Sequence, residues 1–170
     1  MPALEIEISS ESSNHWTPDK AACHKWLLQA LHAAHFDTPC QVSLRFADRE
    51  ESAALNLKFR SKQGASNVLS FPSALPDALP EAPGYQLLGD IVICPEIVVG
   101  EAQEQGKPAE AHWAHLLIHG ILHLIGHDHQ QSAAAAAMES LEIQSLEKLG
   151  YPNPYLSGCS AETSNLNKGS

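Results

Sequence analysis

Two short stretches of the chain alternate between apolar and polar residues. Leu4, Ile6 and Ile8 share one side of a period-two pattern and predict a strand over 3–8. Val42, Leu44 and Phe46 alternate with Gln41, Ser43 and Arg45, the pattern of a half-buried strand over 40–47. A shorter strand is predicted over 67–71, ended by Pro72. An apolar run over 87–94, around Gly89-Asp90, reads as a buried strand stopped by Pro95. Between and after these, apolar residues recur at helical spacing. Thr17 as cap and Pro18 at the first helical position open a helix over 18–35, with Leu27, Leu28, Leu31 and Ala34 on one face. Asp48 caps a helix through Phe59, with Ala53, Ala54, Leu57 and, as a further candidate, Leu55 facing inward. Residues 95–105 form a short helix, and Pro108 opens a longer one running to about Ile125. Ser132 caps the last, over 133–149, with Met138, Leu141, Leu146 and Leu149 toward the core and Gly150 ending it. Ser61–Ser66 is a polar loop. Residues 72–86, with Pro72, Pro76, Pro80, Pro83 and Gly84, read as a long mobile loop.

This order predicts an α/β single domain, a mixed sheet of about four strands with about five helices. The first crossovers imply parallel pairs, while the strand at 87–94, which follows a loop, can pair antiparallel with 67–71. The domain is expected to cover residues 1–156, and the small polar residues of 157–170 are expected to be disordered. No internal repeat is visible.

Composition narrows the class. A chain of 170 residues with 44% apolar content is long enough to bury a sizeable core. A net charge of −10 argues against a nonspecific nucleic-acid binder. The distribution qualifies this. Arg45, Arg49, Lys58, Arg60 and Lys62 fall in one window with only Asp48, Glu50 and Glu51, so a local basic face remains open on an acidic body. Cys23, Cys40, Cys94 and Cys159 show no C-x-x-C spacing and read as reduced thiols, three packed and Cys159 in the tail. No signal peptide and no run of apolar residues long enough to span a membrane is visible, so a cytoplasmic protein is expected.

The chemistry concentrates in His119-Gly-Ile-Leu-His123-Leu-Ile-Gly126-His-Asp128-His129. His119 and His123 are one helical turn apart, on one face, with Cβ atoms about 5–6 Å apart. Gly126 can take φ > 0 and end the helix, so that the chain turns back and brings His129 to the same point. Three neutral imidazoles there form a site for one divalent ion, Zn²⁺ by preference, with a fourth position open as in catalytic centres. In a chain with ten histidines a pair four apart is common by chance. The glycine at +7 and the histidine at +10 make the set specific. The spacing is similar to the H-E-x-x-H-x-x-G-x-x-H pattern of the metzincin proteases, except that Gly120 stands in place of the glutamate base. His112, His115 and His127 lack a third ligand at matching spacing and read as non-ligands; His24, His32 and His35 read as surface residues.

The stretch H-G-x-L-H-L-x-G-H-D-H resembles the signature of the YbeY endoribonuclease family, bacterial factors of rRNA maturation and ribosome quality control. Leu55-Asn56-Leu57-Lys58-Phe59-Arg60, Ser66-Asn67-Val68-Leu69-Ser70-Phe71-Pro72 and Leu88-Gly89-Asp90-Ile91-Val92-Ile93 resemble further segments of that family, as do Met138, Glu139 and Leu149-Gly150-Tyr151. The chain departs from the family at Gln63, usually aspartate, at Ala65, usually proline, and at Gln130-Gln131-Ser132, where an acidic run is common. The resemblance covers roughly residues 40–155. It implies a metal-dependent, single-strand-specific endoribonuclease acting on rRNA, in 16S 3′-end maturation and ribosome quality control, with the ribosome or its proteins as partner.

The residues can be weighed against that chemistry. Phosphodiester cleavage needs the phosphate's charge neutralised, and Arg60 offers a planar fork for it. Lys62 and Ser70 are further candidates for substrate binding. Asp128, beside His129, is a candidate general base or a partner that orients an imidazole, and Asp90 is a second candidate. Two other readings stand beside the nuclease: a zinc metallohydrolase of another substrate, such as a peptidase, and a non-catalytic ribosome-associated module with a structural metal.

Overall fold

In the computed structural model, which describes residues 3–10, 14–73, 86–127 and 132–155, the alternating segments become strands β1 (Leu4–Ser10) and β2 (Cys40–Phe46), with the shorter β3 (Val68–Pro72) and β4 (Gln86–Ile93). The helical segments become α1 (Lys20–Ala33), α2 (Arg49–Arg60), α3 (Pro95–Gln105), α4 (Ala109–Leu124) and α5 (Ser132–Lys148). The sheet runs in the order β1-β2-β4-β3. β1 pairs with β2, and β2 with β4, in parallel; β3 pairs antiparallel with β4. This is the mixed four-stranded sheet with five helices that the pattern predicts, and the pairing of 87–94 with 67–71 is the antiparallel one. The second crossover differs from expectation. The chain leaves β2 through α2, skips one position and returns at the edge as β3, so β2 and β3 are not a parallel pair.

One face of the sheet carries the core. Val42, Leu44 and Phe46 of β2 and Ile91 and Ile93 of β4 meet Trp26, Leu27 and Leu31 of α1 and Trp113, Leu117, Ile118 and Ile121 of α4. Met138 and Leu146 of α5 close the layer, with Leu141 and Leu149 packed partly buried against it, the face its periodicity predicts. α4 lies in the middle of this layer, which explains why it is apolar on nearly every side. A smaller cluster, Ala47, Leu69 and Val92 with Leu55 and Phe71, forms separately from that core.

Local signals set the boundaries. Asp48 accepts from the Glu51 amide at 2.8 Å, the predicted cap. For α1 the cap is Asp19, accepting from Ala22 at 2.8 Å, and not Thr17; the helix starts after Pro18. α2 is turned differently from the expectation. Ser52 and Asn56 are its buried residues, whereas Ala54 and Leu57 are exposed. The reason is polar: Ser52 Oγ donates to the Ser66 carbonyl (3.0 Å) and accepts from its amide (2.9 Å), and Asn56 Nδ2 donates to the Gly64 carbonyl (2.9 Å). The helix is fastened to its own following loop, and those bonds outrank the burial of one leucine.

Cys23, Cys40 and Cys94 are buried free thiols. Most of the loop predicted over 72–86 (residues 74–85) and the tail predicted over 157–170, with Cys159, lie outside the described residues. No helix among the described residues is long and apolar enough to cross a membrane.

Candidate active site

The site is built at the edge strand β3, where the C-terminal end of α2 and the last turns of α4 flank it. A cavity of about 250 Å³ there is lined by Asn56, Arg60, Lys62, Ser66, Asn67, Val68, Leu69, Ser70, His119 and His123. The structure thus brings together Arg60, Lys62, Ser70, His119 and His123, which are scattered over sixty residues of sequence. The other two predicted site residues, Asp128 and His129, lie outside the described residues, and among the described residues no three His, Cys, Asp or Glu side chains are grouped to hold an ion.

The end of α4 has the form that the glycine predicts. The Gly126 amide donates to the His123 carbonyl (3.1 Å) and the His127 amide to the Leu122 carbonyl (3.0 Å), with Gly126 at φ +107°. This pair of bonds is a Schellman stop, which needs a residue of positive φ at Gly126. It turns the chain sharply within four residues of His123.

His119 and His123 stand with ring centroids 5.8 Å apart and planes at 87°. Two imidazoles at tetrahedral angles on one ion, with nitrogens about 2.0–2.1 Å from it, have centroids roughly 5 Å apart, a separation close to that of these rings. Beneath them sits a residue that the sequence reading passed over. Glu142 of α5 is 1% exposed, with Oε2 2.7 Å from His119 Nδ1 and Oε1 2.8 Å from His115 Nε2. The Tyr155 hydroxyl also donates to Oε1. Burial alone would raise this carboxyl; the hydrogen bonds from His115, His119 and Tyr155 outweigh it and hold the group down at about 2. Glu142 is therefore a buried carboxylate whose lone pairs are satisfied by donors.

Of the other histidines of α4, His112 has a carboxylate of its own and His115 shares Glu142 with His119. His112 Nε2 lies 2.8 Å from Glu101 Oε1, which also accepts from Asn67 Nδ2 at 3.0 Å, and burial lowers the His112 pKa. His115 faces Glu142. Asp90 does not reach the cavity: it lines a different groove, with Arg45, Leu55, Phe59 and Phe71, which removes it as a candidate base there.

Arg60 closes α2 and is exposed. Of the basic window, Arg45 is engaged by Glu51 through two bonds of 2.9 and 3.0 Å, and Arg49 by Glu96 at 2.7 Å. Arg60 and Lys62 make no ion pair among the described residues, so the cationic end of the window is the end that borders the cavity. The Ser70 hydroxyl donates to the Gly120 carbonyl at 3.2 Å, which leaves its oxygen as an acceptor.

Gly120 settles one contrast with the metzincin pattern. A Cβ at that position would lie 3.1 Å from Ile91 Cγ2 and 3.3 Å from Ser70 Oγ. The residue faces the sheet in tight contact, so a side chain there would have to push Ile91 and Ser70 aside, and the chain carries no glutamate base at this position.

Known proteins resemble this chain along most of its length. The family model described as endoribonuclease YbeY matches residues 6–150. The endoribonuclease YbeY of Methylococcus capsulatus is 50% identical over 152 residues, covering 89% of this chain and 94% of that protein. That of Pseudomonas putida is 47% identical, covering 89% and 93%, and that of Pseudomonas savastanoi 44% identical, covering 95% and 93%. The solution structure of TM1509 from Thermotoga maritima shares the fold, with a TM-score of 0.52 at 22% identity over 85% of this chain and 91% of that one. With nearly the whole α/β domain inside the matched span and relatives similar along almost its full length, the chain belongs to the YbeY endoribonuclease family.

Proposed function

We propose that this chain is a metal-dependent, single-strand-specific endoribonuclease that acts in rRNA processing, including maturation of the 16S 3′ end, and in ribosome quality control. Its place would be the cytoplasm, with the ribosome or ribosomal proteins as partner. The observation that carries the reading is the convergence of Arg60, Lys62, His119 and His123 on one cavity. His119, His123 and His129 would hold one ion, Zn²⁺ by preference for imidazole ligands. Such an ion supplies a Lewis acid for a phosphoryl oxygen of the scissile group.

The chain's own side chains supply the rest. Arg60 offers a planar fork to two phosphate oxygens and neutralises charge that develops during cleavage. Lys62 adds a second cation at the same mouth, which draws a polyanion to a molecule whose net charge is −10. Ser70 presents an acceptor oxygen to a ribose hydroxyl or an ordered water. Asp128, adjacent to His129 in sequence, is the candidate base. The packing of Gly120 against Ile91 and Ser70 counts against a peptidase.

The test is cleavage of a single-stranded rRNA fragment by rigorously purified protein. Arg60→Ala and His123→Ala should each lower the rate by about 100-fold or more, the scale of losing one preorganised charge partner. Equal cleavage by wild type and both variants would assign the activity to a contaminating nuclease and overturn the reading.

A further inference from the structure

We infer that Glu142 is a positioning residue for His119: its buried carboxylate fixes which ring nitrogen carries the proton and turns Nε2 to the metal side. The inference rests on the three-histidine reading above and adds a residue from another helix to it. Glu142 stands on α5, 23 residues beyond His119, yet its Oε2 is 2.7 Å from His119 Nδ1. A carboxylate accepts and does not donate, so the nitrogen facing it is N–H. In a neutral imidazole the proton on Nδ1 makes Nε2 the lone-pair nitrogen, and the lone pair is what a metal takes.

Three features make this more than a passing contact. Glu142 is 1% exposed, so water cannot substitute for a lost donor. Its second oxygen is held by His115 Nε2 at 2.8 Å and by the Tyr155 hydroxyl, which stops the carboxyl from rotating away from His119. The His115 ring in turn stands edge-on to Tyr155 at 5.4 Å, so the segment after α5 braces the carboxylate from behind. Glu142 also shares its helix stripe with Met138, Ser145 and Leu146, which lock α5 against the rest of the core. Hydrogen-bond partners of this kind orient metal-binding imidazoles and raise their basicity, and their removal typically costs 10–100-fold in metal affinity.

Glu142→Gln keeps the shape and the acceptor Oε1 but replaces the other oxygen with a donor, so it cannot accept from both His115 and His119. Two measurements test the role. Nitrogen-15 correlation spectra of the metal-free wild type should show His119 protonated at Nδ1, and those of Glu142→Gln should show that tautomer lost or mixed. Zinc titration against a coloured chelator should give a dissociation constant about 10–100-fold weaker for Glu142→Gln. A wild-type His119 protonated at Nε2, or a folded Glu142→Gln that binds zinc as tightly as wild type, would overturn the role alone. Wild type that binds no zinc would overturn the metal reading and this role with it. Should Glu142→Gln fail to fold, the wild-type tautomer decides the question by itself.

Discussion

Burial holds the Cys23 thiol up at about 12 and Cys40 up at about 11, against an ordinary value of 9.0. An unfolded chain ionises both near 9.0, whereas the folded one keeps them neutral. Their contribution to stability is therefore complete below pH 9 and is lost as the pH rises from 9 through 11 and 12. The denaturant midpoint should fall between about pH 9 and 11, and Cys23→Ala should flatten part of that slope; a midpoint that stays level would contradict the burial. At this same scale the site was partly legible. The spacing of His119 and His123 placed both on one face, and the arginine of the motif at residue 60 pointed to a phosphate. Glu142 was not read, although its signal was present. It stands four residues from both Met138 and Leu146, on the buried stripe of α5, and an acidic residue on such a stripe requires donors. What sequence spacing cannot supply is which donors, because His115 and Tyr155 arrive from other elements.

Among the elements, α4 carries the most constraint, since it supplies much of the core and also the proposed ligands His119 and His123. Its approach to β3 and β4 is limited at Gly120, where a Cβ would stand 3.1 Å from Ile91. Gly120→Ala gains up to about 1 kcal/mol of helix propensity but meets an overpacking cost of about 1–3 kcal/mol. The net effect should be a loss of about 1 kcal/mol in a chemical melt, with a larger loss for Gly120→Glu. A Gly120→Ala more stable than wild type would show that the contact yields freely. The element pattern was legible where period and caps agreed, as in α3, found over its predicted residues, and in the Asp48 cap of α2. It was misread for the buried face of α2. Apolar periodicity pointed to Ala53, Ala54, Leu57 and Leu55; Leu55 does pack on the smaller cluster, but Ala54 and Leu57 are exposed, and Ser52 and Asn56 are drawn in by the loop backbone at Gly64 and Ser66. A helix held largely by side-chain-to-backbone bonds shows its orientation only weakly in its apolar pattern.

For the molecule as a whole, the order of elements gave the α/β class and the number of strands, but not the jump that leaves β3 at the edge. That jump matters, because an edge strand between α2 and α4 leaves room for the cavity that a central strand would fill. The main core, from Val42 and Ile91 to Trp113 and Met138, includes neither His119 nor His123. Chelation should therefore leave a cooperative thermal transition in place, lowered by the lost binding energy but not abolished. A chain that is unfolded once the ion is stripped would favour the reading as a non-catalytic module with a structural metal.

In the proposed centre His119 and His123, joined by His129 beyond the stop at Gly126, hold one ion beside Arg60. Elemental analysis of purified wild type alongside His129→Ala addresses it most directly. One equivalent of zinc per wild-type chain and none in the variant is the predicted result. Equal metal in both proteins, or none in either, would contradict it.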